Sequence, residues 1–162
     1  MVNPEKGLAQ LTKPAKDLEK ILKRYGTTPI PKYIEHENLS EDFLRKKYQT
    51  VFAKNPGSAA APTASLHFTP RVFKSLELAG ISRNFVTLHV GLGTFLPITS
   101  ENLNEHEMHF EWSEVSKKTM QAIYRAKENG GRVWALGTTA TRALESVATE
   151  KLKLSGDVYL GE

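Results

Sequence analysis

The chain has 162 residues, of which 40% are apolar and 25% charged, with a net charge of +4. These proportions are those of an ordinary one-domain globular protein and exclude a chain that is mostly disordered. No apolar run approaches the roughly 20 residues that span a bilayer, and the absence of cysteine excludes disulfides, thiolate metal sites and cysteine nucleophiles.

The N-terminus carries charges with no apolar stretch behind them, so it is not read as a secretory signal, and a cytoplasmic location with no membrane partner is expected. The positive charge is uneven. Residues 1–54 hold eleven Lys/Arg against seven Asp/Glu, and residues 55–162 hold eleven of each. The excess reads as two solvated helix faces, with weak attraction to a polyanion such as nucleic acid as the alternative.

In chain order, Pro14 to Tyr25 repeats apolar residues three and four apart and predicts a helix with Thr12 as cap and Gly26 as stop. Thr27 to Pro31 is extended, because each proline disfavours helix in the residue before it. A second helix starts at Ser40, with Phe43, Leu44, Tyr48 and Val51 as its apolar side, and a third runs from Pro70 to Ala79 between Thr69 and Gly80. The β-rich run 85–90 predicts a strand, and 110–115 a shorter one. Ser116 to Asn129 is helical, Arg132 to Leu136 a strand, and Thr139 to about Leu152 a helix. This order predicts an α/β fold with a mixed, partly parallel sheet and flanking helices.

Three stretches carry chemistry. The loop from Asn55 to Phe68 is long, nearly uncharged and built from small residues, which suits either close approach of backbone to a ligand or tight packing beneath another element. His67 ends it, as an acid/base candidate or a structural histidine. In the run His106-Glu107-Met108-His109-Phe110-Glu111, His109 and Glu111 share one face of an extended strand. They suit an oriented acid/base pair, or a metal site if His89 or His67 joins them. The junction Gly137-Thr138-Thr139 opens a helix with amides and hydroxyls at its positive end, fit for a carboxylate, a phosphate or a ribose. Arg142 and Glu145 project from the same turns, as ligand contacts or as an ordinary ion pair.

The strings Tyr48-Gln49-Thr50-Val51, Pro62 to Phe68, Val86 to Phe95, His106 to Glu111 and Gly137-Thr138-Thr139 with Arg142, Glu145 and Ser146 closely resemble, in this order, the QueA family. Its members are S-adenosylmethionine:tRNA ribosyltransferase-isomerases of queuosine biosynthesis. The resemblance runs from about Pro29 to Ser146. It divides the chain into an N-terminal helical segment without family motif, 1–28, and a central α/β segment, 29–162.

The resemblance implies transfer of the ribosyl part of S-adenosylmethionine to the aminomethyl group of a deazaguanine at the tRNA wobble position. The product is epoxyqueuosine, and adenine and methionine leave. It implies S-adenosylmethionine as co-substrate without a prosthetic group or metal, and the tRNA anticodon loop as partner. His67, His89, His106, His109 and Glu111 become the catalytic candidates; Gly137, Thr138, Thr139, Arg142 and Glu145 become the candidates for binding S-adenosylmethionine. Two positions depart from the family pattern, which has glycine at Ser65 and proline at Lys32. The family also carries a β-barrel domain and C-terminal motifs that this sequence lacks, so the chain is expected to be inactive alone. Self-association through the open edges of the strands at 86–90 and 132–136 is a further expectation.

Overall fold

The computed structural model describes residues 2–3, 8–9, 17–31, 33–95, 102 and 110–161. A short antiparallel pair, β1 (Val2–Asn3) and β2 (Leu8–Ala9), precedes α1 (Leu18–Tyr25) and α2 (Glu41–Lys47). The Thr12 cap and the first turn expected at Pro14 lie outside the described residues. Ser40 caps α2 by accepting the Phe43 amide, and the last turn of α1 is closed by Arg45 of α2. The Arg45 guanidinium donates to the carbonyls of Lys23 (2.6 Å), Leu22 (3.4 Å) and Gly26 at the end of the helix, where backbone carbonyls run short of intrahelical partners. Since α1 buries none of its side chains, this charged clasp rather than apolar packing fixes its position.

A 3-10 turn (Thr63–His67) and α3 (Pro70–Leu78) follow, α3 beginning at Thr69, whose hydroxyl accepts the Val72 amide. Phe52, Phe68, Phe73 and Phe85 form a ring cluster beneath α3, with centroids 5.3 to 6.5 Å apart.

The second half contains β3 (Thr87–Leu88), β4 (Ser113–Ser116), α4 (Lys117–Glu128), α5 (Gly137–Ala148), β5 (Lys153–Ser155) and β6 (Val158–Gly161). The four strands β3 to β6 form one sheet in the order β3-β4-β6-β5. Leu88, Val115, Met120, Ala143 and Leu152 are buried between the sheet and helices α4 and α5. Val115 is fully buried; each such side chain contributes about 1.5–3 kcal/mol when removed from water. Among the described residues no helix is long and apolar enough to cross a membrane.

The α/β mixture expected from the sequence is present, and every ladder among the described residues is antiparallel. Two further expectations are corrected. Arg132 to Leu136 is extended but forms no ladder, with Trp134 82% exposed: a β-rich run becomes a strand only beside a hydrogen-bonding neighbour. The last helix begins at Gly137 and ends at Ala148, and Leu152 belongs to the turn that feeds a hairpin. That hairpin, β5–β6, closes through Gly156-Asp157 and supplies half of the sheet.

The edges differ accordingly. That of β3 is covered by the loop beginning at Asn55, and the open edge of the sheet is β5, which is exposed along its length and carries Lys153. Charge at such a position disfavours edge-to-edge pairing.

Candidate functional site

The long small-residue loop packs against β3 and lines a cleft. Its first part lies along β3: Asn55 Nδ2 donates to Thr87 Oγ1 (3.1 Å), the Val90 amide to Ser58 Oγ (3.0 Å), and the Ala59 amide to the Val90 carbonyl (2.8 Å). These bonds satisfy an edge that would otherwise face water. Between this loop, the end of α2 and the segment 85–90 lies a cleft of about 680 Å³. Arg45, Tyr48, Thr50, Asn55, Thr87 and Thr139 are among the residues that line it. Burial pushes the Tyr48 phenol above its ordinary pKa of 10.0, and the nearby Tyr33 phenol adds to this, while a hydrogen bond with the Ala61 backbone opposes it. Tyr48 therefore stays a neutral hydroxyl at physiological pH.

His89 continues the β3–β4 ladder, its amide donating to the Trp112 carbonyl at 2.8 Å. Its ring stacks on the Trp112 indole, with centroids 5.0 Å apart and planes 28° apart. Its Nδ1 is buried and, among the described residues, without a hydrogen-bond partner. Gly57, at φ +135°, passes directly over the ring: a Cβ there would lie 2.8 Å from Nδ1. Gly57 also lines the cleft, so one glycine separates the imidazole from that space.

Glu111 is engaged on both oxygens. Oε2 accepts from Arg142 Nη1 at 2.6 Å, and Oε1 accepts the Gly91 amide at 3.1 Å. The carboxylate side chain is 8% exposed and that of Arg142 36%. The pair joins α5 to the turn after β3.

At the start of α5, Gly137 has φ +83° and faces the Cβ of Ala64, which a Cβ on the glycine would meet at 3.1 Å. This close approach seats the turn that ends in His67 against the helix. Leu136 at the cap position supplies no side-chain hydrogen bond to the first-turn amides. Thr139 is half-buried on the cleft wall, whereas Thr138, Glu145 and His67 are exposed. Ser65 is buried in the 3-10 turn.

Of the residues singled out in the sequence, the structure thus joins Glu111 to Arg142, puts Thr139 on the cleft, and sets His89 behind its glycine wall. His106 and His109 lie outside the described residues. Sequence reasoning missed Arg45, Gly57 and Trp112. Pro56-Gly57 announced a turn, but nothing local announced that the turn would cross His89.

Comparison with known proteins agrees with the motifs. The family model for queuosine biosynthesis proteins matches residues 2–160. The S-adenosylmethionine:tRNA ribosyltransferase-isomerase of Polynucleobacter asymbioticus is 51% identical over 140 residues, 86% of this chain and 39% of that protein. The protein of the same name from Cupriavidus metallidurans is 53% identical over 137 residues (85% and 37%), and that from Chlorobium phaeovibrioides 48% over 143 residues (88% and 41%). The chain spans about two-fifths of the length of these curated relatives. No solved structure matches it.

Proposed function

Because the chain belongs to the family of queuosine biosynthesis proteins, we propose that it is the central segment of an S-adenosylmethionine:tRNA ribosyltransferase-isomerase and that its cleft receives S-adenosylmethionine. The observation that carries this reading is the makeup of the cleft wall. Tyr48-Gln49-Thr50, the small-residue loop, Thr87, Leu88 and Val90, and Thr139 come from four separate stretches of sequence, three of them within family-like strings, and meet around one space.

In this reading the hydroxyls of Thr138 and Thr139 and the first-turn amides of α5 hold a ribose or carboxylate oxygen at the positive end of the helix. Tyr48, kept neutral by burial, donates or accepts a hydrogen bond without adding charge beside a sulfonium. The sulfonium acidifies the adjacent ribose carbon and a base removes that proton; the glycosidic C–N bond breaks and adenine leaves after gaining a proton. The deazaguanine amine forms the new bond to the ribosyl group and gives up a proton, and the C–S bond breaks to release methionine as the epoxide closes. His89 is one candidate for carrying a proton in this scheme, its buried Nδ1 lying behind Gly57 rather than on the cleft wall. His67, His106 and His109 are the other candidates. Glu111, with both oxygens engaged, positions Arg142 and the Gly91 turn. Gly137 and Glu145 complete the binding group at the head of α5.

The test is calorimetric titration of the chain with S-adenosylmethionine, beside the double variant Thr138→Val/Thr139→Val. Loss of two hydrogen bonds of about 1 kcal/mol each predicts affinity lower by roughly tenfold or more. Equal affinities with an unchanged fold contradict the assignment.

A further inference from the structure

We propose that the corner where the C-terminal turns of α1 and α2 meet is a docking surface for the single-stranded loop of a folded RNA, with an unstacked base from that loop entering the adjacent cleft. This deepens the function proposed above by assigning its RNA partner a surface. It rests on charge placement that composition does not show.

Both helices carry acid at the start and base at the end: Glu19 against Lys23 and Arg24 in α1, Glu41 and Asp42 against Arg45, Lys46 and Lys47 in α2. Counted along the chain these are three acids against five bases. In space the Arg45 clasp on Leu22, Lys23 and Gly26 brings the two basic ends together. The Arg45 charge is matched by Glu41 at 2.7 Å. Lys23, Arg24, Lys46 and Lys47 are exposed and, among the described residues, form no ion pair.

Complementing the helix dipoles explains each basic turn separately. It does not explain why large rings stand open among them. Tyr25 is 71% exposed with Arg24 over its face at 5.2 Å, Phe43 is 45% exposed with Lys47 at 5.8 Å, and Tyr33 is 80% exposed. Cations that track phosphates, interleaved with open aromatic faces on which bases stack, are the means by which proteins hold single strands. A regular duplex offers the phosphates without the free base faces. The surface runs directly into the cleft, whose wall includes Arg45, Tyr48 and Lys54, and whose roughly 680 Å³ exceeds what one nucleobase fills.

The experiment is fluorescence anisotropy of the chain with a short RNA stem–loop and with a duplex of equal length, across a salt series. The expected result is tighter binding of the stem–loop. Lys23→Ser/Lys46→Ser/Lys47→Ser should weaken that binding about tenfold and flatten the salt slope by about 2, since each phosphate contact on a single strand contributes about 0.7. The matching arginine triple, which keeps the charge, should bind like the wild type. A control triple on α4, Lys117→Ser/Lys118→Ser/Lys127→Ser, should stay within about twofold. Tyr25→Leu/Tyr33→Leu should reduce the preference for the loop over the duplex.

Equal losses in the two serine triples, a preference for duplex, or no RNA binding at all would each overturn the proposal. If the serine triple melts early, the single variants Lys23→Ser and Lys46→Ser carry the same comparison. Titration of the same variants with S-adenosylmethionine separates the two ideas. Retained S-adenosylmethionine binding with RNA binding independent of the corner sinks only the surface; RNA binding through the corner without S-adenosylmethionine binding sinks only the cleft assignment.

Discussion

Glu111 and Arg142, 31 positions apart in sequence, form an ion pair of 2.6 Å whose acidic partner also accepts the Gly91 amide. One carboxylate thereby ties the first turns of α5 to the turn that follows β3, the two elements between which His89 and Thr139 approach the cleft from different sides. Removing Arg142 leaves a nearly buried carboxylate without its main partner. Arg142→Met is expected to destabilise the fold by about 1–3 kcal/mol, the lower part of the range for buried pairs because the arginine is partly exposed. Adding Glu111→Gln to that variant should recover part of the loss. Urea denaturation of the two single variants and the double variant measures this; additive losses would show that the pair is not coupled.

Gly57→Ala places a methyl group 2.8 Å from a buried imidazole nitrogen, on a backbone at φ +135° that alanine rarely adopts. Loss of about 2–4 kcal/mol is expected, with displacement of the His89 ring from Trp112. The ring proton shifts of His89, moved upfield by the stacked indole, report the second effect. Unaltered His89 shifts in the variant would contradict the described crossing.

The junction of α1 and α2 should respond to pH and to Arg45 together. Hydrogen bonds from Arg45 and Thr28 hold the Glu41 pKa below its ordinary 4.5. A carboxyl lowered on folding stabilises the native state above its unfolded pKa and loses that contribution as pH falls through its folded pKa. The Thr28 amide, which donates to Glu41 Oε1 at 2.8 Å, should therefore titrate with a midpoint below 4.5. In Arg45→Met that midpoint should rise, and amide exchange in residues 18–26 should speed up while α4 and α5 keep their protection. A midpoint at or above 4.5 in the wild type would refute the arrangement.

The local grammar of the chain was legible where one residue decides. Ser40, Thr69 and Ser116 each cap the helix expected after them by accepting an amide three residues on. Distant partners were not legible. Arg132 to Leu136 has strand composition but no ladder, whereas Lys153 to Gly161, with weaker composition, becomes a hairpin because β6 pairs with β4 along four residues. The Gly156-Asp157 turn flanked by β-formers was a usable sign of it. Among the site candidates, residue type singled out His89, Glu111, Thr139 and Arg142, while Glu111 with Arg142 and Gly57 with His89 are pairings made only by the fold. Tyr48 reads in sequence as part of an apolar helix face; in the structure it follows the helix end at Lys47 and lines the cleft.

The central claim, that the cleft beside β3 is where S-adenosylmethionine binds, is tested most directly by titrating the isotopically labelled chain with that compound and following its backbone amides. The account predicts saturable shifts at Thr50, at Gly57 to Ala61, at Thr87 to Val90 and at Thr139, with β5 and β6 undisturbed. Shifts confined to the hairpin or to α4, or no saturable shift at any amide of the cleft wall, would contradict it.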